Sequence, residues 1–148
     1  MTTMTEVTKV FRIFIRATPE DVWKAITDPD FTEKYYYGTR VDSTLAAGDA
    51  FAYRSTDDGS VVLDGEVVEA DPPNRLVQTF RALWSEDMAA EPPSRVTWEI
   101  AADPNGLTQL TVTHDRLDES PATAEAISGW YYILSGLKTL VETGKPMI

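Results

Sequence analysis

Residues 120–144, SPATAEAISGWYYILSGLKTLVETG, predict a long helix at the end of the chain. Ser120 is a suitable N-cap and Pro121 fits the first turn, whereas Gly144 and Pro146 prevent continuation, so we place the helix over Pro121–Glu142. At about 100° per residue, one face collects large apolar side chains: Ala126, Trp130, Ile133, Leu134, Leu137, Leu140 and Val141. This apolar stripe needs an apolar face of another element to cover it.

Upstream of this helix, turn residues divide the chain into short segments that are typical of antiparallel strands. Residues 7–16 alternate, with Phe11, Ile13 and Ile15 on one side, and predict a first strand. Six more strands are predicted near residues 39–46, 49–56, 60–70, 74–84, 94–102 and 107–114, joined by turns such as Asp57-Asp58-Gly59. The acidic, proline-containing stretch 85–93 is predicted to be an exposed loop.

Two short helices are predicted between the first and second strands. Thr18 can cap the first helix, and Asp28 ends it and caps a second one that runs to about Tyr36, before Gly38. The sequence therefore predicts an α+β fold in one domain over residues 1–148. A seven-stranded antiparallel sheet curves around the C-terminal helix, because a sheet of that size twists. A cavity between sheet and helix is a default ligand site.

The charge balance excludes some partners. Among the 148 residues, 24 are acidic and 13 are basic, which gives a net charge of −11. We therefore expect no nucleic-acid partner, since such binding depends on cations that neutralise phosphates. We also expect no membrane partner, because no apolar run approaches the roughly 20 residues of a membrane span. The N-terminus does not resemble a signal peptide, so the expected location is cytoplasmic. A homodimer is one option that the sequence leaves open.

The chain has no cysteine and one histidine, His114. This composition predicts no disulfide, no metal site and no cofactor. His114 follows Leu110 and Val112 in register, so its side chain is expected to point inward. It could orient a ligand or transfer a proton, but its commoner role is a hydrogen bond at the end of a strand.

Four stretches resemble a known family: IRATPEDVWKAITDPD at 15–30, GEVVEADPPNRLVQTF at 65–80, LTVTHDRLDE at 110–119 and GWYYILSGLKTLVETG at 129–144. They resemble the START-like (SRPBCC) superfamily, in the branch similar to the C-terminal domain of the heat-shock-chaperone ATPase activator. This resemblance implies a helix-grip fold. It leaves function open, because this fold serves carriers, cyclases and co-chaperone domains. The chain departs from the family pattern at Tyr35-Tyr36-Tyr37, where paired tryptophans are common.

The leading hypothesis is a binding module for an apolar or aromatic small molecule, with no catalytic residue. Trp130 and Leu134 on the helix are expected to face ligand-binding positions on the sheet and near the cavity entrance: Phe51, Tyr53, Phe80, Trp98, Tyr35, Tyr36 and His114. Trp84 is expected to be ordinary core. Gly129 and Gly136 in the helix either leave room for a ligand or allow close packing.

Two other functions remain open. An enzyme, such as a cyclase or dehydratase, would use His114 and a tyrosine as acid and base. A chaperone-interaction domain would show an exposed apolar surface, for which the strand alternation gives little sign.

Overall fold

The structure is a computed structural model that describes residues 6–84, 86–90, 92–118 and 121–148. The predicted N-cap Ser120 and the side chain of Ala126 lie outside what it describes. The strands are β1 (Glu6–Ile15), β2 (Thr39–Ser43), β3 (Ala50–Ser55), β4 (Val61–Asp71), β5 (Arg75–Ala82), β6 (Ser94–Ala102) and β7 (Thr108–Asp118). The helices are α1 (Pro19–Thr27), α2 (Pro29–Tyr35), α3 (Glu86–Ala90) and α4 (Pro121–Thr143).

All seven strands form one antiparallel sheet in the order β1-β7-β6-β5-β4-β3-β2. Strands that follow one another in the chain are neighbours in the sheet, except that β1 pairs with β7. The long helix α4 covers one face, and α1 and α2 lie between β1 and β2 in the chain. The predicted α+β helix-grip fold is confirmed.

The two short helices begin where the sequence predicts. The side chain of Thr18 accepts a hydrogen bond from the backbone N–H of Asp21 at 3.2 Å, and Asp28 accepts one from Asp30 at 2.9 Å. Each cap is followed by a proline at the first helical position, which needs no backbone N–H partner there.

Three element assignments differ from the expectation. Strand β2 ends at Ser43, three residues before the predicted end, and Leu45 beyond it has a positive φ of 63° that does not fit a strand. Residues 86–90 form the short helix α3 within the stretch predicted as a loop, and Ala89 and Ala90 are good helix formers. Strand β7 continues to Asp118, four residues beyond the predicted end, because its pairing with β1 extends to Glu6. Backbone pairing with a distant strand sets this end, and local turn residues do not reveal it.

The core lies between the sheet and α4. The helix buries Trp130, Ile133, Leu134, Leu137 and Leu140, as the apolar stripe predicted, whereas Val141 is only partly buried. On the sheet, Phe51, Tyr53, Leu63, Trp98 and Val112 are among the buried side chains that face it. The stripe is therefore covered along most of its length, which is the main source of hydrophobic stabilisation here.

Candidate functional site

A cavity of about 350 Å³ opens between α4, the paired strands β4 and β5, and the connection from α2 to β2. Five of the ten lining residues that the structure describes are aromatic: Tyr36, Tyr37, Phe80, Trp84 and Trp130. The others are small or aliphatic: Thr39, Val62, Leu63, Gly129 and Ile133. None of these ten side chains carries a formal charge, so the lining suits an uncharged, apolar molecule.

The cavity lies to one side of the place that the sequence predicted. Of the predicted ligand-binding residues, Tyr36, Phe80 and Trp130 line it. The remaining ones are buried in the packed core: Tyr35, Phe51, Tyr53, Trp98, His114 and Leu134. The physical reason is that Trp98 and Trp130 pack edge to face, with ring centroids 5.3 Å apart, and fill the space beneath the middle of the helix.

The three consecutive tyrosines have three different environments. The hydroxyl of Tyr35 donates to the backbone oxygen of Ala25 at 2.7 Å and fixes α2 on α1. Tyr36 stacks parallel on Tyr53, with ring centroids 4.1 Å apart, and both side chains are buried. Burial raises the pKa of Tyr35, Tyr36 and Tyr53, so each of these phenols stays protonated at neutral pH.

Tyr37, in contrast, is 60% exposed and has a positive φ of 51°. Its ring stacks parallel on Tyr132 of α4, with centroids 5.5 Å apart. Its hydroxyl lies next to Gly129, where an added Cβ would come within 3.3 Å of it. Tyr37 therefore stands at the rim of the cavity, and Gly129 leaves the space beside it open.

His114 is fully buried and connects the helix to the sheet. The indole N–H of Trp130 donates to its Nδ1 at 3.0 Å, and an indole can only donate. Nδ1 therefore carries no proton, so the neutral ring holds its proton on Nε2 and donates it to Ser94 Oγ at 2.7 Å. Ser94 in turn donates to the backbone oxygen of Phe80 at 3.3 Å. These three hydrogen bonds form a chain from Trp130 through His114 and Ser94 to Phe80, and the first and last of these residues line the cavity.

Burial lowers the pKa of His114 to about 4, and nearby Asp115 offsets only part of that effect. Both ring nitrogens are already engaged within the protein. His114 therefore acts as a hydrogen-bonding link within the core, and it is not among the described residues that line the cavity.

Trp84 and Ser94 are residues whose place in the site the sequence did not reveal. Trp84 follows the end of β5 and is 48% exposed at the cavity, whereas we expected it in the core. Ser94 carried a usable signal, because it alternates with Val96 and Trp98 on the inward side of β6. A polar residue at an inward register predicts a buried partner.

Two further kinds of site are not seen in the described ranges. No group of three or more His, Asp or Glu side chains that could hold a metal occurs among the residues whose positions the structure gives. In the same ranges, none of the helices is both long and apolar enough to cross a membrane.

With the fold and the cavity established, comparison with known proteins gives the family. Residues 16–142 match the model of the family described as activator of Hsp90 ATPase homolog 1-like protein. The chain belongs to this family. The match covers both short helices, all of β2–β7 and nearly all of α4, and it confirms the branch that the sequence resembles. No curated protein sequence matches this AHSA1-family chain significantly.

Solved structures share the fold of this AHSA1-family chain. A protein from Mesorhizobium loti is 30% identical, with a TM-score of 0.73 over 91% of this chain and 96% of that one. The solution structure of the Aha1 dimer from Colwellia psychrerythraea is 21% identical, with a TM-score of 0.74 over 94% and 98%. An Hsp90 activator from Plasmodium falciparum is 21% identical, with a TM-score of 0.75 over 97% and 99%. At 21% identity, the last two show the fold alone.

Proposed function

We propose that this domain binds an uncharged, apolar small molecule in the cavity between α4 and the β4–β5 pair. The observation that carries the proposal is a cavity of about 350 Å³ whose ten described lining residues are aromatic, aliphatic or small and bear no charge. This volume lies in the range of small-molecule sites, which are concave and mainly apolar. An apolar ligand gains free energy there by leaving water.

Gly129 supports the proposal from the helix side. A glycine inside a helix costs about 1 kcal/mol relative to alanine, and Gly129 sits in α4 at the cavity wall. The atom nearest to an added Cβ is the hydroxyl oxygen of Tyr37 at 3.3 Å, at the tip of an exposed side chain. Close packing of backbones therefore does not explain this glycine, whereas open space for a ligand does.

Native mass spectrometry and thermal unfolding test the proposal. A co-purifying molecule would be visible in the native mass spectrum. A panel of sterols, flavonoids and aromatic polyketides should contain a ligand that stabilises the fold by about 2.7 kcal/mol at a hundredfold excess over its Kd. In a chain of this size that corresponds to a Tm increase of roughly 5–10 °C.

Two variants at one position provide the control. Gly129→Leu places a large side chain in the cavity and should abolish the ligand-induced increase in Tm while unfolding stays cooperative. Gly129→Ala fills little of the volume and should retain the increase. If neither a co-purifying molecule nor a panel member binds the wild-type protein, or if Gly129→Leu binds as well as the wild type, the proposal is wrong.

A second candidate function, interaction with an Hsp90-type chaperone, is favoured by an exposed aromatic surface. This surface consists of Tyr37, Tyr131 and Tyr132, and Tyr131 is 67% exposed although its ring touches Phe11. Tyrosines are enriched where proteins bind other proteins. The related Plasmodium protein is an Hsp90 activator. The surface lies on α4 and next to it, where the strand alternation could not reveal it.

An ATPase assay separates this candidate from ligand binding. If the aromatic surface binds the chaperone, the wild-type domain should raise the ATPase rate of a purified Hsp90, and Tyr131→Ser should reduce that effect. Tyr131→Ser should leave ligand binding unchanged, because Tyr131 is not among the described residues that line the cavity. Failure of the wild-type domain to change the rate would contradict the second candidate.

We also propose that the chain forms a homodimer, since the Colwellia relative is a dimer. Analytical ultracentrifugation at several protein concentrations measures this directly. Sedimentation as a 16.5 kDa species at every concentration would contradict it.

A further inference from the structure

The inner wall of the cavity has little hydrogen-bonding capacity left for a ligand. The indole N–H of Trp130 is occupied by Nδ1 of His114 at 3.0 Å. The hydroxyl of Thr39 donates to the backbone oxygen of Tyr36 at 2.6 Å, and the ring of Tyr36 is buried against that of Tyr53. A polar ligand group placed against this wall would lose its water without gaining a partner, which is costly.

The rim of the cavity is different. Trp84 is 48% exposed and Tyr37 is 60% exposed, and both line the cavity. Within the residues that the structure describes, neither the indole N–H of Trp84 nor the hydroxyl of Tyr37 hydrogen-bonds to another protein group. Two donors are thus available to a ligand at the outer end of the cavity, where water can also reach.

The charges argue against an ionised ligand. Among the lining residues that the structure describes there is no Lys, Arg, Asp or Glu, so a buried ionic group would find no opposite charge among them. The chain as a whole carries a net charge of −11, which disfavours the approach of an anion in particular.

We propose, on the basis of the proposed function, that the ligand is an uncharged molecule that is apolar at one end and carries a hydrogen-bond acceptor at the other. Its inner end is apolar and lies against Trp130, and a hydrogen-bond acceptor at its outer end lies against Trp84 and Tyr37. The hydrogen bond to His114 imposes this orientation, because it uses the Trp130 N–H and leaves no donor there for the ligand.

Three matched probes test the proposal: 2-acetylnaphthalene, 2-ethylnaphthalene and 2-naphthoate. They share one ring system and differ in having a neutral acceptor, no acceptor, or an anionic group. Their Kd values can be measured by calorimetry and by the fluorescence of the protein's tryptophans at neutral pH. We expect both uncharged probes to bind and 2-naphthoate to bind at least about tenfold more weakly than 2-acetylnaphthalene.

The decisive measurement is the ratio of the Kd of 2-ethylnaphthalene to that of 2-acetylnaphthalene. In the Trp84→Phe/Tyr37→Phe double variant this ratio should fall about fivefold, which corresponds to the loss of one ordinary hydrogen bond. Both positions are exposed and keep an aromatic ring, so the variant should fold. Tyr36→Phe is the matched control on the inner side, and it should leave the ratio unchanged.

The outcomes distinguish this inference from the proposed function. If no probe binds although a co-purifying molecule or a member of the earlier panel does, ligand binding stands and this inference is wrong; if nothing binds at all, both are overturned. If 2-naphthoate binds as tightly as 2-acetylnaphthalene, ligand binding stands and the uncharged class is wrong. If the ratio is unchanged in the double variant, or falls in Tyr36→Phe instead, ligand binding stands and the outward placement of the acceptor is wrong.

Discussion

Trp130 and His114 are joined by a hydrogen bond of 3.0 Å from the indole N–H to Nδ1, with the two rings nearly perpendicular at 87°. The bond links the inner face of α4 to β7, and it is buried. Because Nδ1 accepts this bond, His114 carries its proton on Nε2, and the indole N–H of Trp130 is directed toward β7. The same side chain therefore contributes both to the packing of the long helix and to the orientation of a residue in the cavity wall.

Replacing His114 should show how much this bond contributes. His114→Ala leaves the Trp130 N–H and the Ser94 hydroxyl without their partner and opens a void, so we expect a loss of about 2–4 kcal/mol in the free energy of unfolding. His114→Asn should cost less, because its side-chain oxygen can accept from Trp130 where Nδ1 did. Chemical denaturation measures both losses.

The indole N–H resonance of Trp130 gives a second reading of the same variants. In the wild type and in His114→Asn the proton NMR signal should lie downfield, as for a hydrogen-bonded indole, whereas in His114→Ala it should move upfield. An alanine variant as stable as the asparagine variant, with an unmoved resonance, would contradict the role assigned to His114.

Stability should depend on pH through His114. Its pKa is lowered to about 4 in the folded state, against about 6.5 when unfolded. Between these values the unfolded chain binds one more proton than the folded one, so the stabilisation present above pH 6.5 is lost as pH falls. From pH 7 to pH 5 we expect the free energy of unfolding to fall by about 2 kcal/mol.

The non-titrating His114→Asn variant is the control for this pH dependence. Its stability should change much less between pH 7 and pH 5, because carboxyl groups with lowered pKa values, such as Asp115 and Glu142, titrate at lower pH. Urea titrations at several pH values measure both slopes. Equal slopes in the wild type and the variant would show that His114 is not the group responsible.

The sequence predicted the architecture because its signals are local. Caps such as Thr18 and Asp28 and the helix-ending Gly144 act within a few residues of themselves. Alternation likewise showed that His114 points inward. What local signals could not show was its partners, since Ser94 and Trp130 lie 20 and 16 residues away in the chain. Those contacts follow from strand register and helix placement together.

The sequence could not predict the position of the cavity either. Trp98 and Trp130 both lie on inward faces, and that fact is compatible with opposite walls of a pocket or with direct contact. The structure shows contact at 5.3 Å, with the indole N–H of Trp98 donating to Gln78 at 3.2 Å. The volumes of all the side chains that share the core decide between the two arrangements, and the periodicity of the sequence carries no information about how those volumes fit together.

Gly65 is expected to be the least replaceable glycine. It lies in β4, and a Cβ added there would come within 2.0 Å of the backbone oxygen of Thr79 on β5. Because the obstacle is backbone, Gly65→Ala should cost more than about 4 kcal/mol or prevent folding. Circular dichroism and denaturation measure the loss, and Thr79→Ala serves as the control for removing the nearby hydroxyl. A stable Gly65→Ala protein would contradict this close approach.

The two glycines of α4 should respond differently to alanine. A Cβ at Gly129 would meet the Tyr37 hydroxyl at 3.3 Å, which can move with its exposed side chain. A Cβ at Gly136 would meet Cβ of Tyr35 at 3.2 Å and its Cα at 3.7 Å, where α2 packs on α4. Both changes gain up to about 1 kcal/mol of helix propensity. Only at Gly129 can the neighbouring atom, the Tyr37 hydroxyl, move away from the added Cβ.

We therefore expect Gly129→Ala to raise the free energy of unfolding by up to about 1 kcal/mol. Gly136→Ala should be neutral or destabilising, because Tyr35 is held by its bond to Ala25 and resists displacement. Denaturation of the two variants side by side gives the comparison. A third comparison repeats Gly136→Ala in a Tyr35→Phe background. Without the bond from the Tyr35 hydroxyl α2 can shift, so Gly136→Ala should lower the free energy of unfolding less there than in the wild type. Equal stabilisation by alanine at both positions would show that the contact between α2 and α4 is looser than the distances indicate.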